Sequence, residues 1–248
     1  MSRVVFDFTG ENFVVTGASS GMGRQVAVEL ATAGANVLAI ARNEARLQEL
    51  QAQYPANISV AALDVYDSEK MENAIKDFVG EHGKLHGGVH AAGITDITPL
   101  KSYDKDKAHK IMDVNFWAGA NFLQYATKKR ISNDGASFVL FSSVYAQSSP
   151  KGMFVYGAAK AGINIAVQSL SKEIAKRKQR VNSIMPGWVE TGMTNMIGDI
   201  SNKSDIVGNE LLGTGSPCDV TGMVLFLLSD RGCWITGSNI AVDGGYLA

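Results

Sequence analysis

The sequence predicts an α/β fold: one domain over residues 1–248, built on a doubly wound parallel sheet with helices on both faces. Three observations predict it. Short β-rich apolar runs alternate with helical patterns along the whole chain, with no internal repeat, low-complexity tract or linker. A glycine-rich loop stands between the first such run and the first helix. The 248 residues, 46% of them hydrophobic, are enough to bury one substantial core. Alternation of this kind means parallel strands joined by right-handed crossovers, with ligands bound beyond the strand C-termini at the switch point.

The elements follow in order. Phe13–Thr16 reads as a buried strand, and the helix after the glycine loop runs from about Met22 to Ala33. Val37–Ala41 is a second strand with helix Glu44–Gln53, and Ile58–Leu63 a third with helix Ser68–His82. Gly88–Ala91 is the fourth strand, followed by separate helices near Lys105–Ile111 and Asn115–Lys129. Strand Ser137–Phe141 precedes a long helix, Phe154 to Lys178, and strand Val181–Ile184 follows it. Helix Asp219–Leu228 and strand Asn239–Val242 close the sheet.

Composition excludes several classes of function. A formal net charge of -1 gives no basic field for nucleic acid. The run Lys176–Arg180 is expected to end a long helix, where cations complement the dipole. Cys218 and Cys233 lack metal or disulfide spacing, and a reduced compartment is the simplest reading. The four histidines form no metal-ligand pattern, so no metal is expected. Asp7 and Glu11 interrupt any leader-like start, and the longest apolar runs, such as Met223–Leu228, cannot span a bilayer. A cytoplasmic protein without membrane contact is expected.

Thr16-Gly17-Ala18-Ser19-Ser20-Gly21-Met22-Gly23 has the make-up of a phosphate loop. Glycine permits the tight turn and lets backbone N–H groups reach a pyrophosphate, and the following helix N-terminus adds partial positive charge. Tyr-x-x-x-Lys occurs four times: Tyr66/Lys70, Tyr103/Lys107, Tyr125/Lys129 and Tyr156/Lys160. Only the last pair has a serine, Ser143, thirteen residues upstream at the end of an apolar strand. The other three are expected to be solvated helix faces. Four residues apart, Tyr156 and Lys160 share one helix face. A nearby ammonium favours the phenolate, and bringing a tyrosine from about 10 to about 7 takes roughly 4 kcal/mol.

The loop Thr16–Gly23, Asn115, Ser143, Tyr156-Gly-Ala-Ala-Lys160 and Pro186-Gly187 together resemble the short-chain dehydrogenase/reductase family, from about Asn12 to the end. The resemblance implies a single Rossmann-type domain, a nicotinamide dinucleotide and a homotetramer or homodimer. It implies that Gly17, Ser19, Ser20, Gly21, Met22 and Gly23 hold the pyrophosphate. Asp64 and Val65 would flank the adenine, and Ala92 and Gly93 would lie beside its ribose. Lys160 would hold the nicotinamide ribose, and Pro186, Gly187, Val189 and Thr191 the carboxamide. Tyr156 would be the general acid, Ser143 would orient the substrate carbonyl, and Asn115 would hold a water relaying protons from Lys160. One departure stands out: the family's Asn-Asn-Ala-Gly is here His90-Ala91-Ala92-Gly93, without the strand-bridging asparagine, and His90 is expected to be structural.

An acidic residue at the end of the second strand would select NAD. Ala41 stands there, and Arg42 beside it suits a 2′-phosphate, so NADP(H) is expected. Residues 192–213 read as a substrate lid with an apolar inner face carrying Met193, Met196, Ile197 and Ile200. Met153, Phe154, Trp188, Met193 and Met196 are expected around the point of hydride transfer, with few charges nearby. The resulting expectation is an NADPH-dependent reductase of a ketone or aldehyde, acyl thioesters included. The closest general resemblance is to 3-oxoacyl-carrier-protein reductases, whose carrier-facing arginines align with Arg130 and Arg177. An alcohol or sugar dehydrogenase working oxidatively remains open. A non-catalytic dinucleotide sensor would typically lose the tyrosine or the lysine, and both are present. Phe116, Phe122, Ile165 and Leu170 are expected at a tetramer interface.

Overall fold

In a computed structural model that describes residues 4–192 and 210–248, seven parallel strands form one sheet. In chain order the elements are β1 (Asn12–Thr16), α1 (Gly21–Thr32), β2 (Asn36–Ala41), α2 (Glu44–Gln53), β3 (Ile58–Ala62), α3 (Ser68–His82) and β4 (Leu85–His90). Then come α4 (Lys105–Met112), α5 (Ala118–Ala126), β5 (Ser132–Phe141), α6 (Phe154–Ile174), β6 (Arg180–Pro186), α7 (Pro217–Leu228) and β7 (Asn239–Val242). The strand order is β3-β2-β1-β4-β5-β6-β7, so the order reverses between β1 and β4. That junction is where a doubly wound sheet opens its ligand crevice.

Both faces of the sheet are covered, and side chains alternate between them. Phe13 and Val15 of β1 point into one core with Val26 and Leu30 of α1 and Val220 and Val224 of α7. Val14 points into the other with Ile75 of α3, Phe122 of α5 and Val167 of α6. Gly88 of β4 has to be small: a Cβ there would sit 2.8 Å from the Phe122 ring. α7 starts sharply because Pro217 follows Ser216, whose N–H donates to the Asp219 carboxylate at 2.7 Å.

The structure departs from the sequence expectations in five places. The two helices expected at Lys105–Ile111 and Asn115–Lys129 are one helical stretch, joined by a π-turn over Asp113–Trp117 that contains Asn115. β5 begins at Ser132, five residues early, because a bulge with Gly135 at φ +83° lets Leu85 pair with Ser132 and Gly87 with Ser137.

The cationic run does not simply cap a helix. Arg180 is buried in β6, with its guanidinium donating to the carbonyls of Leu227, Gly232 and Ser229 at 2.8, 2.8 and 3.1 Å. Arg177 donates to Thr127 O and Ser132 O, both at 2.6 Å, and pairs with Asp134 at 2.7 Å. Tyr125 is not a solvated helix face either: it is buried in the second core, with Lys128 Nζ 4.4 Å over its ring. Finally, the sheet does not lack its bridge. His90 Nδ1 lies 3.0 Å from Thr16 Oγ1, which ties β4 to β1 where the asparagine would have done so.

Candidate active site

The glycine loop enters α1 at the β1–β4 junction. Gly17 has φ +70°, and a Cβ on it would meet the Ala92 nitrogen at 2.7 Å. Gly23 lies against the Gly17 carbonyl, where a Cβ would come within 2.5 Å. Both positions therefore require glycine. Ser20 caps α1 without a side-chain hydrogen bond, and the first turn carries no acid, so nothing there neutralises the helix N-terminus. Ala92 N donates to Thr16 Oγ1 at 3.3 Å, so the His90–Thr16 bridge also holds the strand end that lines the cleft.

A cleft of about 270 Å³ runs from this loop along the strand ends. It is lined by Gly17, Ser19, Ser20, Gly21, Met22 and Gly23, by Ala41, Arg42, Asp64 and Val65, and by Ala92, Gly93 and Thr191. Arg42 is mostly exposed and lies 4.0 Å from Asp64, too loose a pairing to occupy its fork. Met22 and Thr191 also line a second cavity, of about 80 Å³, with Ser143, Tyr156, Pro186, Gly187 and Val189. The two spaces meet across those shared residues. Every expected site residue except Asn115 and Lys160 thus lines one of the two cavities. Those two are buried just behind the walls, at 1% and 4% exposure.

Lys160 and Tyr156 project from the first turns of α6. Gly157 lets this helix press onto the preceding loop, since a Cβ would meet Ser149 Oγ at 2.6 Å and Tyr145 O at 2.9 Å. Ser142 Oγ donates to Lys160 O at 2.9 Å and fixes the helix against the end of β5. Lys160 Nζ donates to Phe141 O at 2.8 Å and lies 5.5 Å from the centre of the Tyr156 ring. Ser143, two residues past the end of β5, accepts Tyr145 N–H at 3.2 Å on its Oγ and lines the smaller cavity beside Tyr156. Asn115 is a clamp: its amide donates to Ile94 O at 2.8 Å and Ile111 O at 2.9 Å, and its Oδ1 accepts Ile94 N–H at 3.3 Å. Both amide hydrogens are therefore spent on backbone, and a water held by this side chain would have to sit on Oδ1. Gly93 keeps that space open, because a Cβ there would be 2.8 Å from Oδ1 and 3.6 Å from Lys160 Nζ.

Burial sets the protonation states. It pushes Tyr156 up to about 12, with the Ser143 hydroxyl pulling the other way. It brings Lys160 down to about 7 and, with the Lys160 charge adding to it, His90 to about 3. The ammonium alone therefore does not produce a low-pKa tyrosine; in the protein by itself the phenol stays protonated. The Lys160 value carries a prediction. Its folded pKa lies below its unfolded pKa, so the unfolded chain binds more protons between about pH 7 and about pH 10, and stability rises with pH across that window. Lys160→Met is expected to flatten this rise and to be the more stable form near neutrality, as read by thermal melts at the two ends of the window.

Sequence reading missed Tyr145, Ser142, Thr95 and Glu210. The Tyr145 ring meets Tyr156 edge-on at 6.3 Å, and Thr95 and Glu210 line the smaller cavity. Of the apolar residues expected there, Met153 and Trp188 line it; Phe154 turns outward onto Tyr103, at 5.8 Å. Met193, Met196, Ile197 and Ile200, and most of the expected lid, lie outside the described residues. No metal-holding cluster occurs among the described residues, and no described helix is long and apolar enough to cross a membrane. Both cysteines are free and exposed.

A family model described as Enoyl-(Acyl carrier protein) reductase matches residues 17–247. The chain belongs to the short-chain dehydrogenase/reductase family. It is 35% identical to a 3-oxoacyl-[acyl-carrier-protein] reductase FabG from Rickettsia conorii, over 98% of this chain and 99% of that one. It is 31% identical to the same-named reductase of Staphylococcus aureus, over 94% and 96%. Among solved structures, a short-chain type dehydrogenase/reductase from Mycobacterium ulcerans superposes with a TM-score of 0.88 at 31% identity, covering 98% of this chain and 91% of that one. A family member from Brucella melitensis, named as a glucose/ribitol dehydrogenase, superposes at 0.91 with 25% identity, covering 98% of this chain and 99% of that one. The chain is thus an oxidoreductase of this family, and membership implies a nicotinamide dinucleotide. The glycine cradle, the unneutralised helix N-terminus and the contiguous cleft fit that group.

Proposed function

We propose that the protein reduces a ketone or aldehyde carbonyl at the expense of NADPH, with 3-oxoacyl thioesters as the favoured substrate class. The observation that carries this reading is that two hydroxyls, those of Ser143 and Tyr156, line one wall of the smaller cavity, which shares Met22 and Thr191 with the larger cleft. One oxygen atom of a substrate placed there receives both. Reduction of C=O needs its proton on that same oxygen, whereas reduction of C=C needs it on a carbon. The likeness to 3-oxoacyl reductases supports the thioester.

Bound NADPH supplies the hydride to the carbonyl carbon. Ser143 donates to the carbonyl oxygen and orients it; Tyr156 gives that oxygen its proton and becomes the phenolate. Lys160 replaces the proton through its ammonium and water, and Asn115 keeps the Ile94 loop and α4 in place around it. The product is the alcohol, with the carbonyl reduced by two electrons and the nicotinamide oxidised by two. Gly17–Gly23 would hold the pyrophosphate, Asp64 and Val65 the adenine, and Pro186, Gly187, Val189 and Thr191 the carboxamide. Kinetics over a panel of 3-oxo thioesters, simple ketones and secondary alcohols, with each cofactor in each direction, tests the assignment.

Arg42 gives the cofactor preference. With no acid at Ala41, NADPH is expected to be favoured, and Arg42→Ala should lose about 2 kcal/mol of that preference, roughly 30-fold. Steady-state kinetics with both cofactors reads it; equal or better use of NADH by the unmodified protein contradicts it.

The carrier-facing role expected of Arg130 and Arg177 narrows to Arg130, which is largely exposed, because Arg177 is turned into the Thr127–Asp134 loop. A homotetramer is proposed, packed through α5 and α6. Phe122 cannot serve there, being fully buried, but Ile165 and Trp117 are 65% and 52% exposed. Light scattering at micromolar protein should give four subunits, and a pure monomer would end the idea.

A further inference from the structure

Among the described residues, three buried polar side-chain atoms have no hydrogen-bond partner: His90 Nε2, Thr95 Oγ1 and the Tyr125 hydroxyl. Of these residues only Thr95 lines a cavity, the smaller one, with Ser143, Met153, Tyr156 and Trp188. Its backbone is pinned on both sides. Asn115 holds the N–H and the carbonyl of Ile94, just before it, at 3.3 and 2.8 Å. Just after it, Asp96 pairs with Lys107 at 3.2 Å, and Thr98 N–H donates to Gly152 O at 2.7 Å. The serine hydroxyls of the same wall already have partners. Ser142 Oγ donates to Lys160 O at 2.9 Å, and Ser143 Oγ accepts Tyr145 N–H at 3.2 Å, which leaves its proton for the reacting oxygen. Thr95 thus brings to the cavity wall a hydroxyl that the proton-transfer set does not use.

A buried hydroxyl without a partner lowers stability, and a partner that arrives with the ligand accounts for its presence. Threonine carries its hydroxyl and its methyl on one carbon. A turn of χ1 between staggered wells therefore brings the hydroxyl to the cavity face, whichever of the two lies there at rest. We infer that Thr95 is a specificity-determining residue: its hydroxyl donates to a second oxygen of the substrate and so selects compounds with another carbonyl near the reacting one, as in a 3-oxo thioester. This rests on the carbonyl-reductase reading above. Ser143 and Tyr156 serve the oxygen that is reduced. The second oxygen remains a carbonyl throughout, so its hydrogen bond is the same before and after hydride transfer. Binding of that uniform kind acts on KM and not on kcat.

The test compares a 3-oxo thioester with the thioether of the same length, in which a methylene replaces the thioester carbonyl and the ketone is kept. Each is offered with saturating NADPH to the unmodified protein, to Thr95→Val and to Thr95→Ser. Valine keeps the shape and removes the hydroxyl; serine restores it. In Thr95→Val the ratio of kcat/KM, thioester over thioether, should fall by about tenfold, the size expected of one hydrogen bond, through a higher KM for the thioester. Thr95→Ser should recover most of that ratio. Without substrate, Thr95→Val should melt no lower than the unmodified protein, because the hydroxyl has no protein partner to lose. A ratio that Thr95→Val leaves unchanged overturns the inference and assigns the hydroxyl to water. An equal loss on both compounds overturns it too, and a lower melting temperature beside that loss marks a role in the fold. If the unmodified protein reduces neither compound, it is the reductase reading that fails; if it reduces both and the ratio stays, that reading stands and only the role of Thr95 is lost.

Discussion

Tyr156→Phe is expected to fold, to bind cofactor as the unmodified protein does, and to lose about a hundredfold or more of turnover. The ring stays, and with it the edge-on packing against Tyr145 and the position beneath Lys160. Only the hydroxyl on the wall shared with Ser143 goes. Because burial holds this phenol at about 12, it is protonated at any working pH and is poised as an acid for the reductive direction. Lys160→Ala should differ in kind, damaging cofactor affinity as well as rate. Fluorescence titration with NADPH separates the two variants. A Tyr156→Phe protein that kept more than about a tenth of its turnover would remove the general acid from the account.

Arg180→Met is the substitution expected to cost most in stability. The buried guanidinium closes the end of α7 by donating to the carbonyls of Leu227, Ser229 and Gly232, none of which lines either cavity. Methionine fills some of the volume but offers no donor, so the Gly232 and Ser229 carbonyls lose their charge-assisted partner, while Leu227 O keeps the Ser137 hydroxyl. The loss should be about 3 kcal/mol or more, since each orphaned buried group costs about 1–3 kcal/mol. The exposed neighbour Arg231, changed to methionine, should shift stability by no more than about 0.5 kcal/mol. Urea unfolding of the two variants measures the difference, and equal midpoints would show that the carbonyls find water instead.

Much of the site was legible because its geometry is local. Tyr156 and Lys160 need only a helix to share a face, and Ser143 needs only the strand end before it. The glycine loop needs only its place between β1 and α1. What was not legible depends on contacts across the sheet. Arg177 and Arg180 look like a helix terminus in sequence, yet each satisfies carbonyls that lie about fifty residues away in the chain. His90 replaces an asparagine, and nothing in the sequence says that its ring reaches Thr16 on the neighbouring strand. The π-turn under Asn115 leaves no mark in the apolar pattern, since inserting one residue into a helical turn resembles a break between two helices. Glu210 stands in a stretch without periodicity, and only the backbone N–H of Trp188 reveals where it points.

The central claim is hydride delivery to a carbonyl carbon with Tyr156 protonating the oxygen. It is tested most directly with NADPH deuterated at the transferring position, offered together with a 3-oxo thioester and the matching 2-enoyl thioester. The account predicts a 3-hydroxy product with deuterium on the carbinol carbon, formed by the unmodified protein and lost in Tyr156→Phe. A saturated thioester carrying deuterium at a chain carbon, with the 3-oxo compound untouched, would contradict it.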